Sequence, residues 1–187
     1  MFTSVEDPDG PLVRRAQRGD RWAFEQLVDR HQHRLYTLAG RTLGRGRADD
    51  AADVVQEALL RAWIALPRFR GGSRFSTWLY RICLNAAHDA RERRVPVPAE
   101  APAEQADPRD PAGTRELSGE LQAALDALEE PYRTAVVLYD VLGCYYAEIG
   151  ELTDAADGTV KSRIFRGRTE LARRLGTSAP HAESKER

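Results

Sequence analysis

Apolar residues recur along this chain at spacings of three and four, the period of an amphipathic helix. Leu12 to Arg18 predicts a short helix stopped at Gly19. Asp20 stands where an N-cap is expected. Behind it, Phe24, Leu27, Val28, His31, Leu35, Leu38 and Ala39 mark one face of a helix to about Leu43, broken by Gly44 and Gly46. A third helix, capped by Asp49 or Asp50, aligns Val55, Ala58, Leu59, Ala62 and Leu66 and ends at Pro67. The fourth, capped by Ser73 or Ser76, repeats Phe75, Trp78, Leu79, Ile82 and Ala86 and stops at Pro96.

The pattern then lapses. Val95 to Thr114 holds Pro96, Pro98, Pro102, Pro108 and Pro111 among Ala, Glu and Asp. That composition cannot build a packed core and predicts a flexible linker. Beyond it, Leu117, Leu121, Leu125 and Leu128 pattern one helix, and Pro131 opens another that Gly143 stops. A short helix from Tyr146 to Leu152, a turn at Thr153–Asp154–Ala155 and a longer helix from Asp157 to Leu175 follow, with Gly176 as the cap. The expected fold is all-α: two small helical domains, 11–94 and 116–176, joined by a flexible linker at 95–115. The C-terminal one is a four-helix domain with a helix-turn-helix. Residues 1–10 and 177–187 are expected to be disordered tails.

Charge changes this picture through its distribution. The 187 residues carry a net charge of −1, which by itself says nothing for nucleic acid. Yet Arg68 to Arg94 holds seven Arg against Asp89 and Glu92, and Gly158 to Leu175 holds six Lys or Arg against Glu170. Val95 to Glu120 runs the other way, with six acids against two Arg. Such segregation predicts two basic surfaces on an otherwise acidic chain. Cys83 and Cys144 are far apart and lack CxxC spacing, which argues against a metal site or disulfide framework and for a reducing compartment. Met1 to Gly10 has no apolar signal core, and no apolar run approaches a membrane span, so no membrane insertion is expected.

Three constellations carry chemistry. In the helix-turn-helix, the second helix would enter the major groove. There Thr159, Lys161, Ser162, Arg163 and Arg166 point largely outward, types that contact phosphates and base edges, while Val160, Ile164 and Leu171 can pack inward. The stretch from Arg68 to Arg81 interleaves Phe69, Phe75, Trp78 and Tyr80 with Arg68, Arg70, Arg74 and Arg81, the combination that holds single strands. Gly71–Gly72 allows a sharp loop that could receive a flipped base, and Asn85, His88 and Asp89 lie further along the helix. Core packing accounts for Phe75, Trp78 and Ile82 equally well. The third is an acidic helix face of Asp53, Gln56 and Glu57 with Arg61. Carboxylates repel phosphate, so a protein partner or plain solvation fits it better than DNA. No catalytic arrangement stands out. The four His residues lack metal spacing, there is no P-loop or GxSxG, and Asp49 and Asp50 are adjacent and point apart.

The run Asp53–Val54–Val55–Gln56–Glu57 followed by Arg61–Ala62–Trp63, then Phe69–Arg70–Gly71 and Phe75–Ser76–Thr77–Trp78–Leu79–Tyr80–Arg81–Ile82, resembles region 2 of bacterial RNA polymerase sigma factors of the sigma-70 family. Gly158–Thr159–Val160–Lys161–Ser162–Arg163 resembles the start of the region 4 recognition helix. The small extracytoplasmic-function (ECF) group, with only regions 2 and 4, fits best over about residues 11–94 and 116–176. The resemblance implies a non-enzymatic, cofactor-free polymerase subunit that works in the cytoplasm, at the nucleoid when bound to polymerase. Asp53, Gln56, Glu57, Arg61 and Trp63 would dock on the β′ clamp helices of core polymerase. Phe69, Arg70, Gly71, Arg74, Phe75 and Thr77, with Trp78, Tyr80, Arg81, Asn85, His88 and Asp89, would melt and capture the −10 element. Thr159, Val160, Lys161, Ser162, Arg163, Arg166 and Arg168 would read the −35 duplex, and region 4 would also touch the β flap. The linker would thread toward the polymerase active-site and RNA-exit channels. An anti-sigma factor is a further implied partner.

The chain departs from the family pattern at Gly150, where Ala is usual, at Asp154, where Gly is usual, and at Tyr145, where Ser is frequent. Gly150 costs about 1 kcal/mol of helix propensity relative to Ala, and Asp tolerates a left-handed turn better than most residues. The rival readings are a conventional helix-turn-helix regulator that binds duplex DNA without being a polymerase subunit, and a nuclease. The first leaves the 69–82 pattern unexplained, and the second lacks clustered carboxylates or His beside a basic surface.

Overall fold

The computed structural model describes residues 7–44, 48–93 and 119–177, and all regular structure among them is helical. The predicted linker at 95–115, residues 1–6 and the tail beyond Thr177 lie outside the described residues. Among the described residues eight α-helices follow in order: α1 (Gly10–Ala16), α2 (Arg21–Leu43), α3 (Ala48–Ala65), α4 (Phe75–Glu92), α5 (Gly119–Asp126), α6 (Glu130–Val136), α7 (Tyr146–Thr153) and α8 (Asp157–Leu175). A 3-10 turn, Leu66–Arg68, follows α3, and a π turn, Val137–Val141, extends α6.

The first lobe is α2 packed against α1, α3 and α4. Its entry is built as the sequence predicts. Gly19 turns the chain at φ +88°, and Asp20 Oδ1 accepts the Ala23 N–H at 3.1 Å. The other Asp20 oxygen takes the Arg15 guanidinium at 2.9 Å. Leu27, Leu35 and Leu38 of α2 meet Val55 of α3 and Phe75 and Leu79 of α4 in a shared core, all fully buried. Each such side chain contributes about 1.5–3 kcal/mol by leaving water.

The start of α4 differs from expectation. Neither Ser73 nor Ser76 caps it; Arg74 is the N-cap residue and supplies no side-chain bond. The Ser73 hydroxyl turns to the Arg74 carbonyl. The first free N–H, of Phe75, donates instead to Asp7 Oδ2 at 2.7 Å. Asp9 beside it is 5% exposed and bonds His31 Nε2 at 2.6 Å and Arg30 at 3.1 Å. Residues 7–10, expected within a disordered tail, are therefore ordered, because their carboxylates satisfy a helix end and a buried imidazole.

The second lobe, α5 to α8, closes on two glycines. A Cβ on Gly167 would stand 2.6 Å from Val136 Cγ2 and 3.2 Å from Tyr132 O, so α8 crosses α6 at backbone contact. A Cβ on Gly150 would stand 2.7 Å from the Ala155 carbonyl. That carbonyl belongs to the tight turn in which Asp154 adopts φ 49°, ψ 50°, left-handed as anticipated. Gly150 and Asp154 are thus one adaptation: the missing methyl admits the turn that follows. The two lobes touch along α2 and α4 on one side and α5, α6 and α7 on the other.

Candidate protein and nucleic-acid interfaces

On α3, positions 53, 56, 57, 60, 61 and 64 share one helix face by their spacing. Asp53 and Gln56 are exposed and Glu57 half-buried. The same face shows Leu60 at 55% and Ile64 at 65% exposure. Carboxylates flanking exposed Leu and Ile suit a protein partner, not phosphate. Leu60 and Ile64 escaped the sequence reading, which counted only the inward stripe; two apolar residues opposite that stripe were the available signal. Trp63 is half-buried with its ring 4.9 Å from Phe24, so part of it belongs to the core.

Arg61 joins this face to α4. Its Nε meets Glu57 Oε1 at 2.7 Å and its Nη1 meets Asp89 Oδ2 at 2.6 Å. The hydrogen bond from Arg61 holds the Asp89 carboxyl below its ordinary range. Asp89 is thereby a partner of Arg61 first.

The loop between α3 and α4 is pinned from below. Gln17, the C-cap of α1, donates to Leu66 O at 3.1 Å and to Phe69 O at 2.7 Å. Gly71 takes φ +71°, the left-handed conformation a side chain disfavours. Phe69, Phe75 and Trp78 form one aromatic cluster, with Phe69–Trp78 centroids 4.9 Å apart and Phe75–Trp78 5.6 Å. Above it, Arg68, Arg70 and Arg81 with Phe69 and Trp78 line an open recess, and Glu151 of α7 stands at its edge. Phe75 and Tyr80 are 1% and 2% exposed. As stacking platforms for DNA they are corrected to core residues: their position on the inward stripe of α4 decides it. Phe69 and Trp78 keep partial exposure. Thr77 is 2% exposed for another reason, since α7 lies over it. Asn85 and His88 are exposed, and His88 faces Glu92 at 3.3 Å.

On α8, Thr159, Lys161, Ser162 and Arg166 are exposed and Arg163 is half-buried. Val160 has no exposed surface; its expected contact with DNA is corrected to a packing role against the α7 turn. Arg168 turns away from the outer face. Its Nε bonds Asp140 Oδ2 at 3.0 Å, and its guanidinium lies 5.0 Å over Tyr139. The Asp140 pair holds its charge firmly. Phe165, 58% exposed beside Arg166, is an apolar group on this face that the sequence reading passed over. Burial pushes the Cys83 and Cys144 thiols up to about 12, so neither is a ready nucleophile.

Residues 27–95 match the family described as Sigma-70 region 2, and residues 118–171 match Sigma-70, region 4. The chain is 39% identical to the ECF RNA polymerase sigma-E factor of Escherichia coli K12, over 87% of this chain and 92% of that protein. The chain belongs to the ECF group of the sigma-70 family. It is 37% identical to the RNA polymerase sigma-H factor of Pseudomonas aeruginosa, over 91% and 95% of the two chains. In structure it is similar to CnrH solved with the cytosolic domain of CnrY (TM-score 0.69, 29% identity, covering 90% of this chain and 97% of that one). It is also similar to the sigma factor RpoE of Bartonella quintana solved with the anti-sigma factor NepR (TM-score 0.68, 27% identity, covering 82% and 96%). As an ECF sigma factor it is a non-catalytic subunit that directs promoter-specific transcription initiation. Its region 2 match takes in most of α2 and all of α3 and α4, and its region 4 match takes in α5 to most of α8. No helix among the described residues is long and apolar enough to cross a membrane.

Proposed function

We propose that the sigma factor divides its work among three surfaces. The α3 face of Asp53, Gln56, Glu57, Leu60 and Ile64 docks on the β′ clamp helices of core polymerase. The recess of Arg68, Phe69, Arg70, Trp78 and Arg81, with Asn85 and His88 along α4, takes the melted −10 strand and receives a flipped base. The outer face of α8, from Thr159 through Arg166, reads the −35 element as duplex, with Phe165 placed for a thymine methyl. Region 2 spans 11–94 and region 4 spans 116–176, region 4 also touching the β flap, and the segment 95–115 threads through the polymerase. The protein works in the cytoplasm. An anti-sigma factor is its regulator, by analogy with the Bartonella quintana protein.

The observation that carries this reading is the sorting of side chains on one helix pair. Exposed Leu and Ile with carboxylates occupy α3, and arginines over half-exposed aromatics occupy the loop into α4. A conventional helix-turn-helix regulator has no use for that second site. The test is run-off transcription with purified core polymerase and a promoter library. Specific initiation that depends on Arg81, and that Asp53→Lys/Glu57→Lys abolishes together with core binding, is expected. Tight duplex binding without initiation would make the protein a repressor instead.

A further inference from the structure

The loop from Phe69 to Ser73, which forms one rim of the recess assigned to the −10 strand, has little packing of its own to fix it. A Cβ on Gly71 or Gly72 would meet nothing within 4 Å. Behind the loop lies a second recess of about 610 Å³, walled by Asp7, Arg14 and Gln17 on one side and by Phe69, Gly71 and Ser73 on the other. A segment with open space on both sides stays where its hydrogen bonds hold it.

Gln17 holds the entrance to the loop. Its Nε2 donates to Leu66 O at 3.1 Å and to Phe69 O at 2.7 Å, and the Phe69 N–H closes the turn between them on Leu66 O at 3.0 Å. Both acceptors are carbonyl oxygens, so only the nitrogen end of the amide can face them, and both its N–H groups are used. Gln17 is itself firmly mounted: its backbone N–H bonds Val13 O at 2.9 Å. Asp7 holds the exit. Its Oδ2 accepts the Phe75 N–H at 2.7 Å and its Oδ1 the Asp9 N–H at 3.1 Å. Asp9 in turn is anchored on His31, whose ring lies 5.5 Å from that of Phe75. Between the two pins stand Phe69, with its ring 4.9 Å from Trp78, and Arg70.

We propose that Gln17 and Asp7 are positioning residues for −10 recognition: acting through the loop rather than on DNA, they set where Phe69 and Arg70 stand, and with that the discrimination among bases. This rests on the assignment of the recess made above and extends it to two residues outside the recess. Arg68, Arg70 and Arg81 attract any phosphate backbone, so affinity for a strand as such is insensitive to small shifts of the rim. Discrimination is sensitive, because a base is read only by walls held close to their productive place.

The experiment uses holoenzyme reconstituted with core polymerase. Labelled single-stranded oligonucleotides carry the −10 segment of a promoter selected in the run-off assay, matched or with one base exchanged at a time. The readout is the ratio of matched to mismatched affinity at the base where wild type discriminates most. Gln17→Met keeps the length of the side chain and removes the donor. It should lower that ratio by about 5- to 10-fold and leave mismatched affinity and its salt dependence unchanged. Asp7→Ala should lower the ratio in the same sense. Asp7→Asn, which keeps an oxygen acceptor for the Phe75 N–H, should restore it. Loss of folded protein would lower matched and mismatched binding alike and leave the ratio where it was. An unchanged ratio in either Gln17→Met or Asp7→Ala, or a ratio in Asp7→Asn as low as in Asp7→Ala, overturns the proposal. Arg81→Ala separates the two levels. If it weakens binding while the ratio survives in Gln17→Met, the recess stands and only the positioning role falls. If Arg81→Ala binds as wild type does, the recess assignment falls and the positioning role with it.

Discussion

Replacing Gly150 by Ala, the residue usual at this place in the family, should destabilise this protein. Two effects oppose. Ala is a better helix former by about 1 kcal/mol. Against that, the new methyl would stand 2.7 Å from the Ala155 carbonyl oxygen, where ordinary contact begins at 3.4 Å. The carbonyl cannot retreat freely. The Ala155 N–H donates to Gly150 O at 3.0 Å, and Asp154 before it is already held left-handed at φ 49°. Overpacking of this kind costs about 1–3 kcal/mol, and straining the turn hydrogen bond adds to it, about 1 kcal/mol if the bond is lost. The clash wins by about 1–2 kcal/mol. The loss is local to the helix-turn-helix, so the assay must be local too. Trp22, Trp63 and Trp78 all lie in the first lobe and would not register it. Amide hydrogen exchange would: protection of α7 and the start of α8 should fall by about 5–30-fold, with α2 to α4 unchanged. Adding Asp154→Gly, which frees the turn, should recover part of the loss. If Gly150→Ala alone slows exchange in α7, the turn accommodates the methyl and the steric argument is wrong.

Three further outcomes follow from the same geometry. Asp7→Ala removes the acceptor for the Phe75 N–H; it should cost about 0.5–2 kcal/mol in a urea melt followed by tryptophan fluorescence, and −10 oligonucleotide affinity should fall with it. The Asp9 carboxyl is buried, which raises its pKa, but His31 and then Arg30 more than offset this and lower it overall. Its folded value is below its unfolded one, so its contribution is present above about pH 4 and is lost as pH falls through the folded value; the urea midpoint of Asp9→Asn should be lower at neutral pH and fall less steeply below pH 4. Leu60→Glu/Ile64→Glu, at exposed positions, should leave the melt within about 0.5 kcal/mol of wild type yet lower affinity for core polymerase at least tenfold in a pull-down titration.

The helix bounds were legible wherever the stop signal is local. Gly19, Asp20 and Gly44 bracket α2 within the sequence itself, and Asp157 to Gly176 brackets α8. The cap of α4 was not legible, because its acceptor is Asp7, 68 residues earlier. Residue type also overstated the DNA surface. Val160, Phe75 and Tyr80 sit within the right motifs, but the helix phase turns them inward. Arg168 has the right charge and the right helix, yet Asp140 and Tyr139 claim it across the lobe. Leu60 and Ile64 failed in the other sense: they lie off the inward stripe of α3, and apolar residues on the outer face were not weighed as a surface. The contacts between the lobes could not be read at all, since they pair distant residues of ordinary surface types, such as Thr77 with Glu148, 71 positions apart.

Asp89 shows why the assignments of α3 and α4 belong together. A bare carboxylate beside a surface that holds phosphates would repel them. Here Arg61 covers it from α3 at 2.6 Å and keeps it ionised, so the repulsion is offset by a residue of the helix proposed to face polymerase. The same guanidinium holds Glu57 at 2.7 Å. Such half-exposed pairs add about 0–1 kcal/mol each to stability, too little to explain them as struts. Their effect is electrostatic and positional: one cation serves two carboxylates, and any partner that draws Glu57 away leaves Arg61 more fully to Asp89. The far end of α4 is matched likewise, Arg91 with Glu130 of α6. The side of region 2 proposed to face DNA thus carries charges matched by both neighbours, α3 on one side and region 4 on the other. Under the proposed assignment core polymerase engages α3, and so it meets one of those neighbours directly.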